Sequence, residues 1–252
     1  MVRIRHKKAA ALLLLAAAAV GIVGLLLYNG VFWFVNPSRA DYPVRGVDVS
    51  EYQGQIDWDV LSAQGLSFAF IKATEGSTYR DPCFQDNWEQ AGRTELAVGA
   101  YHFFSYDSDG KTQAANFIAA VPADGASLPP VVDIEFYGAY RKAPAAKEAV
   151  QPMLDALLDE LERHYRRRPI LYATMDAYRL YLQGGYGEYP IWIRSVLSRP
   201  ELPDGREWTF WQYSPRGKLY GYRGTEPYID LNVFNGTRQA FEAFAGLNGA
   251  HE

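Results

Sequence analysis

Eight short runs dense in Val, Ile, Phe, Tyr and Trp follow one another after Pro43, and they constrain the fold more than any other feature. They are Val44–Val49, Ser67–Ala73, Ala97–Phe104, Pro130–Ile134, Pro169–Ala173, Pro190–Ile193, Thr209–Tyr213 and Tyr228–Phe234. Runs of this length without strict alternation read as strands buried on both faces, the habit of parallel sheets. Helical patterns lie between the earlier ones. Pro82–Ala91 is expected to start from Asp81 as N-cap and to end at Gly92, and Lys111–Val121 follows Asp109-Gly110. Ala145–Tyr165 carries Val150, Leu154, Leu157, Leu158, Leu161 and Tyr165 as one apolar stripe. Asp176–Leu182 follows the fifth run, and about Thr237–Leu247 closes the chain. The segments separating the last three runs are rich in Pro, or in Gly and Tyr, and carry no helical pattern. The order predicts an α/β fold, an irregular TIM-like β/α barrel whose helices are missing in the second half.

A barrel of this kind accounts for residues 44–247 as one domain. With 48% hydrophobic and 15% aromatic residues, intrinsic disorder is excluded as the main state. The single cysteine, Cys83, excludes an internal disulfide framework and is expected to be a buried apolar filler.

The chain before the barrel is different in kind. Residues 1–8 hold Arg3, Arg5, Lys7 and Lys8 and no acid, and Ala9 to Ser38 holds no charge at all. Ala9–Val35 is long enough to span a ~30 Å hydrocarbon core and longer than the apolar region of a cleaved signal peptide, with a signal peptide cut near Arg39-Ala40 as the rival reading. This gives a basic cytoplasmic tip (1–8), a transmembrane signal-anchor helix (9–35), a linker (36–43), the barrel and a tail (248–252). The positive-inside rule places the N-terminus in the cytoplasm and the barrel outside, as a single-pass protein of the cell membrane. The net charge of −4 divides accordingly. Without the four bases of the tip, 21 basic and 29 acidic groups remain, a charge of −8, which is no footprint for nucleic acid. A monomer is expected.

Parallel barrels gather functional groups at the C-terminal ends of their strands. Those ends carry Asp48, Asp133, Glu135 and Asp230, with Tyr101, Tyr172, Trp192 and Trp211 near them. Asp133 and Glu135 are two apart on an apolar strand and share a face. Two carboxyls held together in a low dielectric cannot both ionise freely, so one retains a proton, as general-acid cleavage of a glycosidic bond needs. Pairing with Lys or Arg is the structural alternative, and a hard cation is the other ligand such oxygens take. The four histidines show no metal-ligand spacing, so neither metal nor cofactor is expected. His102, in an aromatic strand, is expected to be a satisfied core residue. The four aromatics offer flat faces with polar tips that suit a sugar ring.

Longer motifs go further. Arg45-Gly46-Val47-Asp48-Val49-Ser50-Glu51-Tyr52-Gln53-Gly54, Phe70-Ile71-Lys72-Ala73-Thr74-Glu75-Gly76, Gly99-Ala100-Tyr101-His102-Phe103, Val132-Asp133-Ile134-Glu135, Phe210-Trp211-Gln212-Tyr213-Ser214 and Ile229-Asp230-Leu231-Asn232 occur in this order. Together they resemble the glycoside hydrolase family 25 muramidases, the Chalaropsis-type lysozymes. The resemblance covers about Val44 to Gly236. It implies a barrel that loses helices late and hydrolysis of the β-1,4 bond between N-acetylmuramic acid and N-acetylglucosamine in peptidoglycan glycan strands. It implies Glu135 as general acid, with Asp133, Asp48 and Asp230 as partner carboxylates and Tyr101, Tyr172, Trp192 and Trp211 along the sugar groove. A catalytically weak peptidoglycan-binding module and a hydrolase of another N-acetylated glycan are the alternatives. Retaining, inverting and substrate-assisted routes all stay open. One departure stands out: after Ile191-Trp192-Ile193 the family continues with Ala and an aromatic, and this chain has Arg194-Ser195-Val196.

Overall fold

The computed structural model describes residues 2–29, 31 and 33–247. The expected tail, 248–252, and Met1 of the basic tip lie outside the described residues. The chain divides into two units, Met1–Phe34 and Val35–Glu252.

The first unit is a helix, α1 (Val2–Tyr28). It begins seven residues before the expected anchor, because Arg and Lys are good helix formers and continue the apolar helix into the basic tip. It also ends seven residues early, where the Asn29 side chain turns back to the Leu25 carbonyl at 2.8 Å. Its apolar part, Lys8–Tyr28, is 21 residues long with a mean hydropathy of 2.8 in its most apolar 18-residue stretch, about 31 Å of helix at 1.5 Å per residue.

The second unit contains eleven strands: β1 (Arg45–Val49), β2 (Gln55–Ile56), β3 (Phe68–Glu75), β4 (Tyr79–Arg80), β5 (Ala97–Phe103), β6 (Val131–Ile134), β7 (Ile170–Thr174), β8 (Ile191–Arg194), β9 (Phe210–Gly217), β10 (Tyr222–Arg223) and β11 (Ile229–Phe234). Every one of the eight expected runs is a strand. They close on themselves in the order β1-β3-β5-β6-β7-β8-β9-β11, since β1 pairs with both β3 and β11. One expectation fails. The barrel is not parallel throughout, for β11 runs antiparallel to β9 and to β1. With no crossover helix between β9 and β11, the chain returns as a hairpin, and a hairpin is antiparallel.

The helices are α2 (Trp58–Ser62), α3 (Phe84–Ala91), α4 (Gly110–Ala120), α5 (Lys147–Tyr165), α6 (Met175–Ala177), which runs on as a π-turn to Leu182, and α7 (Arg238–Ala245). The stripe on α5 is buried as its spacing requires, apart from the partly exposed Tyr165. α3 starts later than expected. Asp81 does not cap it but accepts the backbone N–H groups of Cys83 (2.9 Å) and Glu51 (2.8 Å), tying two loops together. Cys83 is half-buried rather than a core filler.

Side chains on the inner parity of the strands make a closed floor from Phe68, Phe70, Val131, Ile170, Phe210 and Phe234, sealed by Phe241 of α7. Outside β9, where a crossover helix is missing, the chain's own connector supplies the cover. Pro37 is buried, Val35 and Tyr42 pack on the core, and the Tyr42 ring stacks on Trp208 with centroids 5.9 Å apart. Arg45 reaches back to the Pro37 carbonyl and to the Tyr213 hydroxyl. The expected linker is thus part of the folded barrel unit.

Candidate active site

Above the apolar floor the inner parity turns polar. Asp48 of β1, Lys72 of β3, Tyr101 of β5, Asp133 of β6 with Glu135 just beyond it, Tyr172 of β7, Trp192 of β8, Gln212 of β9 and Asp230 of β11 line one cavity of about 290 Å³. All four expected acids therefore meet. Asp230 arrives by a different route from the one expected. It sits at the start of β11, not its end, and the reversed strand direction lifts that start to the level of the parallel strands' C-terminal ends.

Asp48 is 8% exposed and held by two amides. Asn232 Nδ2 donates to its Oδ1 at 2.6 Å, and Gln212 Nε2 donates to Oδ1 and Oδ2 at 3.0 and 3.2 Å. Each amide is oriented in turn by an aromatic: the Tyr172 hydroxyl donates to Gln212 Oε1 at 3.0 Å, and the Trp192 indole N–H donates to Asn232 Oδ1 at 2.8 Å. Asp133 is 7% exposed, and its Oδ1 is buried without a hydrogen-bond partner among the described residues. Glu135 and Asp230 are half-buried.

Burial raises the proton affinity of all four. It is the largest cause at Asp133, pushed well above the ordinary carboxylate range, with the Glu135 charge next. Burial also lifts Glu135, while the cations Arg194, Arg141 and Lys72 hold it back. At Asp230 burial and then the Asp48 charge raise it well above the usual value. Burial raises Asp48 too, against the lowering effect of Asn232 and Gln212. None of the four forms an ion pair within 4 Å among the described residues, where Lys72 pairs with Glu75 instead, at 2.8 Å.

The aromatics divide. Tyr101, Tyr172 and Trp192 line the cavity, whereas Trp211 is on the outer parity of β9, 1% exposed, its indole donating to the Ser195 carbonyl at 2.7 Å. It is core beside Trp208 and Tyr42, not groove. His102 is buried on the outer face of β5 between Thr74 Oγ1 (2.7 Å) and Gln113 Oε1 (3.0 Å), and burial lowers its pKa to about 4. Among the described residues no group of three or more His, Cys, Asp or Glu is placed to hold a metal ion.

Comparison with known proteins identifies the family. The profile of glycosyl hydrolases family 25 matches residues 47–222. The chain belongs to that family. It is 37% identical over 222 residues to the Escherichia coli protein YegX, covering 86% of this chain and 79% of YegX. It is 31% identical over 215 residues to lysozyme M1 of Streptomyces globisporus, covering 80% and 71%. Among solved structures, a family 25 glycosyl hydrolase from Bacillus anthracis superposes with a TM-score of 0.79 at 51% identity, over 85% of this chain and 98% of that one.

As a family 25 member this chain is a glycoside hydrolase, and Lys72, Gln212 and Asn232 join the site beyond the expected residues. Gln212 and Asn232 are neutral amides beside acidic and aromatic neighbours that carry the stronger signal. The signal was there: each lies two residues beyond an inward position, Phe210 and Asp230, and so shares its face.

Proposed function

We propose that the chain hydrolyses the β-1,4 bond between N-acetylmuramic acid and N-acetylglucosamine of peptidoglycan. The observation that carries this reading is the meeting of four carboxyls in one cavity with no cation paired to any of them among the described residues. Structural carboxylates are paired; a set left unpaired and proton-rich is suited to acid–base work.

Glu135, half-open to the cavity and raised by burial, donates its proton to the glycosidic oxygen as the bond to the anomeric carbon breaks. Asp133 lies behind it with a buried oxygen lacking a donor, and it accepts the N–H of the substrate's acetamido group. That turns the acetamido carbonyl oxygen onto the anomeric carbon, where it bonds as the leaving group departs with Glu135's proton. Water then attacks the same carbon, gives a proton back to Glu135 and frees the acetamido group. Asp48 and Asp230 supply negative charge beside the oxocarbenium-like transition state. α1 holds this activity at the membrane, with the basic tip in the cytoplasm and the barrel on the wall side.

The test is loss of turbidity of purified peptidoglycan by the full chain in detergent, with mass spectrometry of the new reducing ends. Muramic acid ends and a Glu135→Gln variant slowed at least about 100-fold are expected. N-acetylglucosamine ends, or an unimpaired Glu135→Gln variant, would overturn the reading.

A further inference from the structure

Two arginines and one lysine send positive charge toward Glu135, and they are not equivalent. Lys72 is committed to Glu75 and lies over the rings of Tyr79 and Phe103, at 5.4 and 5.0 Å from their centroids. Arg141 is exposed, with its Nε donating to the Phe136 carbonyl at 3.3 Å. Arg194 is half-buried, and its guanidinium has neither a hydrogen bond nor an ion pair within 4 Å among the described residues.

Its place follows from register. Arg194 is two residues beyond Trp192, which lines the cavity, so it shares the inner parity of β8 at the end of the strand, just outside the cavity's own lining. It stands beside Thr174 of β7 and Gln212 of β9, the residue that holds Asp48. Its charge acts on Asp48, Glu135, Asp230 and Tyr172, which come from four different strands or strand ends. A cation that shares the inner face of the barrel with these groups and touches none of them is poorly used if its only task is to balance them. A cavity ringed by carboxyls repels any negatively charged substituent on a sugar. A guanidinium with open donors reverses that locally, because its planar fork matches a carboxylate with two parallel hydrogen bonds.

Resting on the muramidase reading, we infer that Arg194 is a specificity-determining residue that binds a carboxylate carried by the glycan substrate. Two sources present that chemistry. One is the lactyl carboxylate of muramic acid on strands stripped of stem peptides; the other is a carboxylate of an intact stem peptide.

The experiment compares the full-length wild type with Arg194→Ala and Arg194→Lys on three preparations. These are intact peptidoglycan, strands freed of peptide by an amidase, and the same strands with their lactyl carboxyls converted to amides. The expected result for Arg194→Ala is a KM raised about tenfold, with kcat unchanged, on the preparation whose carboxylate it binds. Arg194→Lys, which keeps the charge but loses the planar fork, raises KM on the same preparation by a smaller factor. A rise on stripped strands that disappears on amidated ones identifies the lactyl group; a rise confined to intact peptidoglycan identifies the stem peptide. An equal effect on all three preparations, or a fall in kcat with KM unchanged and a displaced pH profile, would overturn the inference and make Arg194 a charge acting on the acids. Unchanged kinetics throughout would overturn it as well. Wild type that cleaves none of the preparations refutes the muramidase reading itself, which separates the two failures.

Discussion

Asp48 and Asp230 stand directly opposite each other across the antiparallel seam between β1 and β11. Like charges in that position repel, and both groups are buried enough to favour the protonated form. They therefore titrate as a pair that retains a proton above the ordinary carboxylate range. The amides of Asn232 and Gln212 settle where the remaining charge rests, by giving Asp48 the hydrogen bonds that an ionised oxygen needs.

Removing one of those amides has a calculable direction. Asn232→Ala deletes the largest of the three side-chain contacts that lower Asp48's pKa, so Asp48 holds its proton to higher pH. The acid limb of the pH–rate profile is expected to move upward. Turnover at pH 6 should fall about 10- to 100-fold, the scale of a lost hydrogen bond to a buried charge. An acid limb that stays in place would show that Asp48's ionisation does not govern the rate.

Trp192 separates a sugar platform from an orienting residue. At 2% exposure, stacked on Phe70 with centroids 4.6 Å apart, it has little face to offer a ring. Its N–H, however, fixes Asn232. Trp192→Phe is expected to lower kcat about 3- to 10-fold and to leave KM within a factor of two. A raised KM with kcat intact would restore the platform role.

These two residues also mark how far the sequence could be read. Strand positions were legible because buried strands leave dense apolar runs. The inward pointing of Asp133 and Glu135 followed from a two-residue period that needs no tertiary knowledge. Trp211 was misplaced because residue type outweighed parity: an aromatic beside a cavity reads as groove until its neighbours Phe210 and Gln212 are seen to own the inner face. Asp230 was expected for the wrong reason. Strand direction depends on what joins β9 to β11, and an absent helix is a weak signal in a Gly- and Tyr-rich stretch. The cover over β9 was invisible, because Val35–Tyr42 reads as a polar tether and only packing reveals it as a wall.

That wall gives a stability prediction. Tyr42→Ala removes a half-buried ring from Trp208 and Trp211 and should destabilise the barrel by about 2 kcal/mol. The measurement is chemical denaturation of the full chain followed by tryptophan fluorescence. Specific activity of the folded fraction stays at wild type. No change in the midpoint would show that the connector only rests against β9.

His102 should give the barrel a pH dependence unrelated to catalysis. Its pKa is lowered from 6.5 to about 4, so the folded state refuses a proton that the unfolded chain accepts between those values. The stability it contributes is full above pH 6.5 and is lost as pH falls through 4, by about 3 kcal/mol. Wild type should thus lose about that much relative to His102→Gln between pH 7 and pH 4, read by urea midpoints. The raised carboxyls act in the opposite direction in both proteins and cancel in the comparison. Parallel pH profiles would show that His102 is protonated while folded.

The reversed last strand has a consequence in time as well as in space. Asp48 and Asp230 are neighbours across the seam, yet they come from opposite ends of the barrel sequence. Contacts so distant along the chain are among the slowest to form, because the whole intervening loop must be ordered first. The cavity therefore has no fourth wall until β11 has been synthesised and inserted. A nascent or truncated chain lacking β11 carries Asp48, Asp133 and Glu135 without Asp230 and without the Asn232 amide that holds Asp48, so the site is incomplete until that strand is in place.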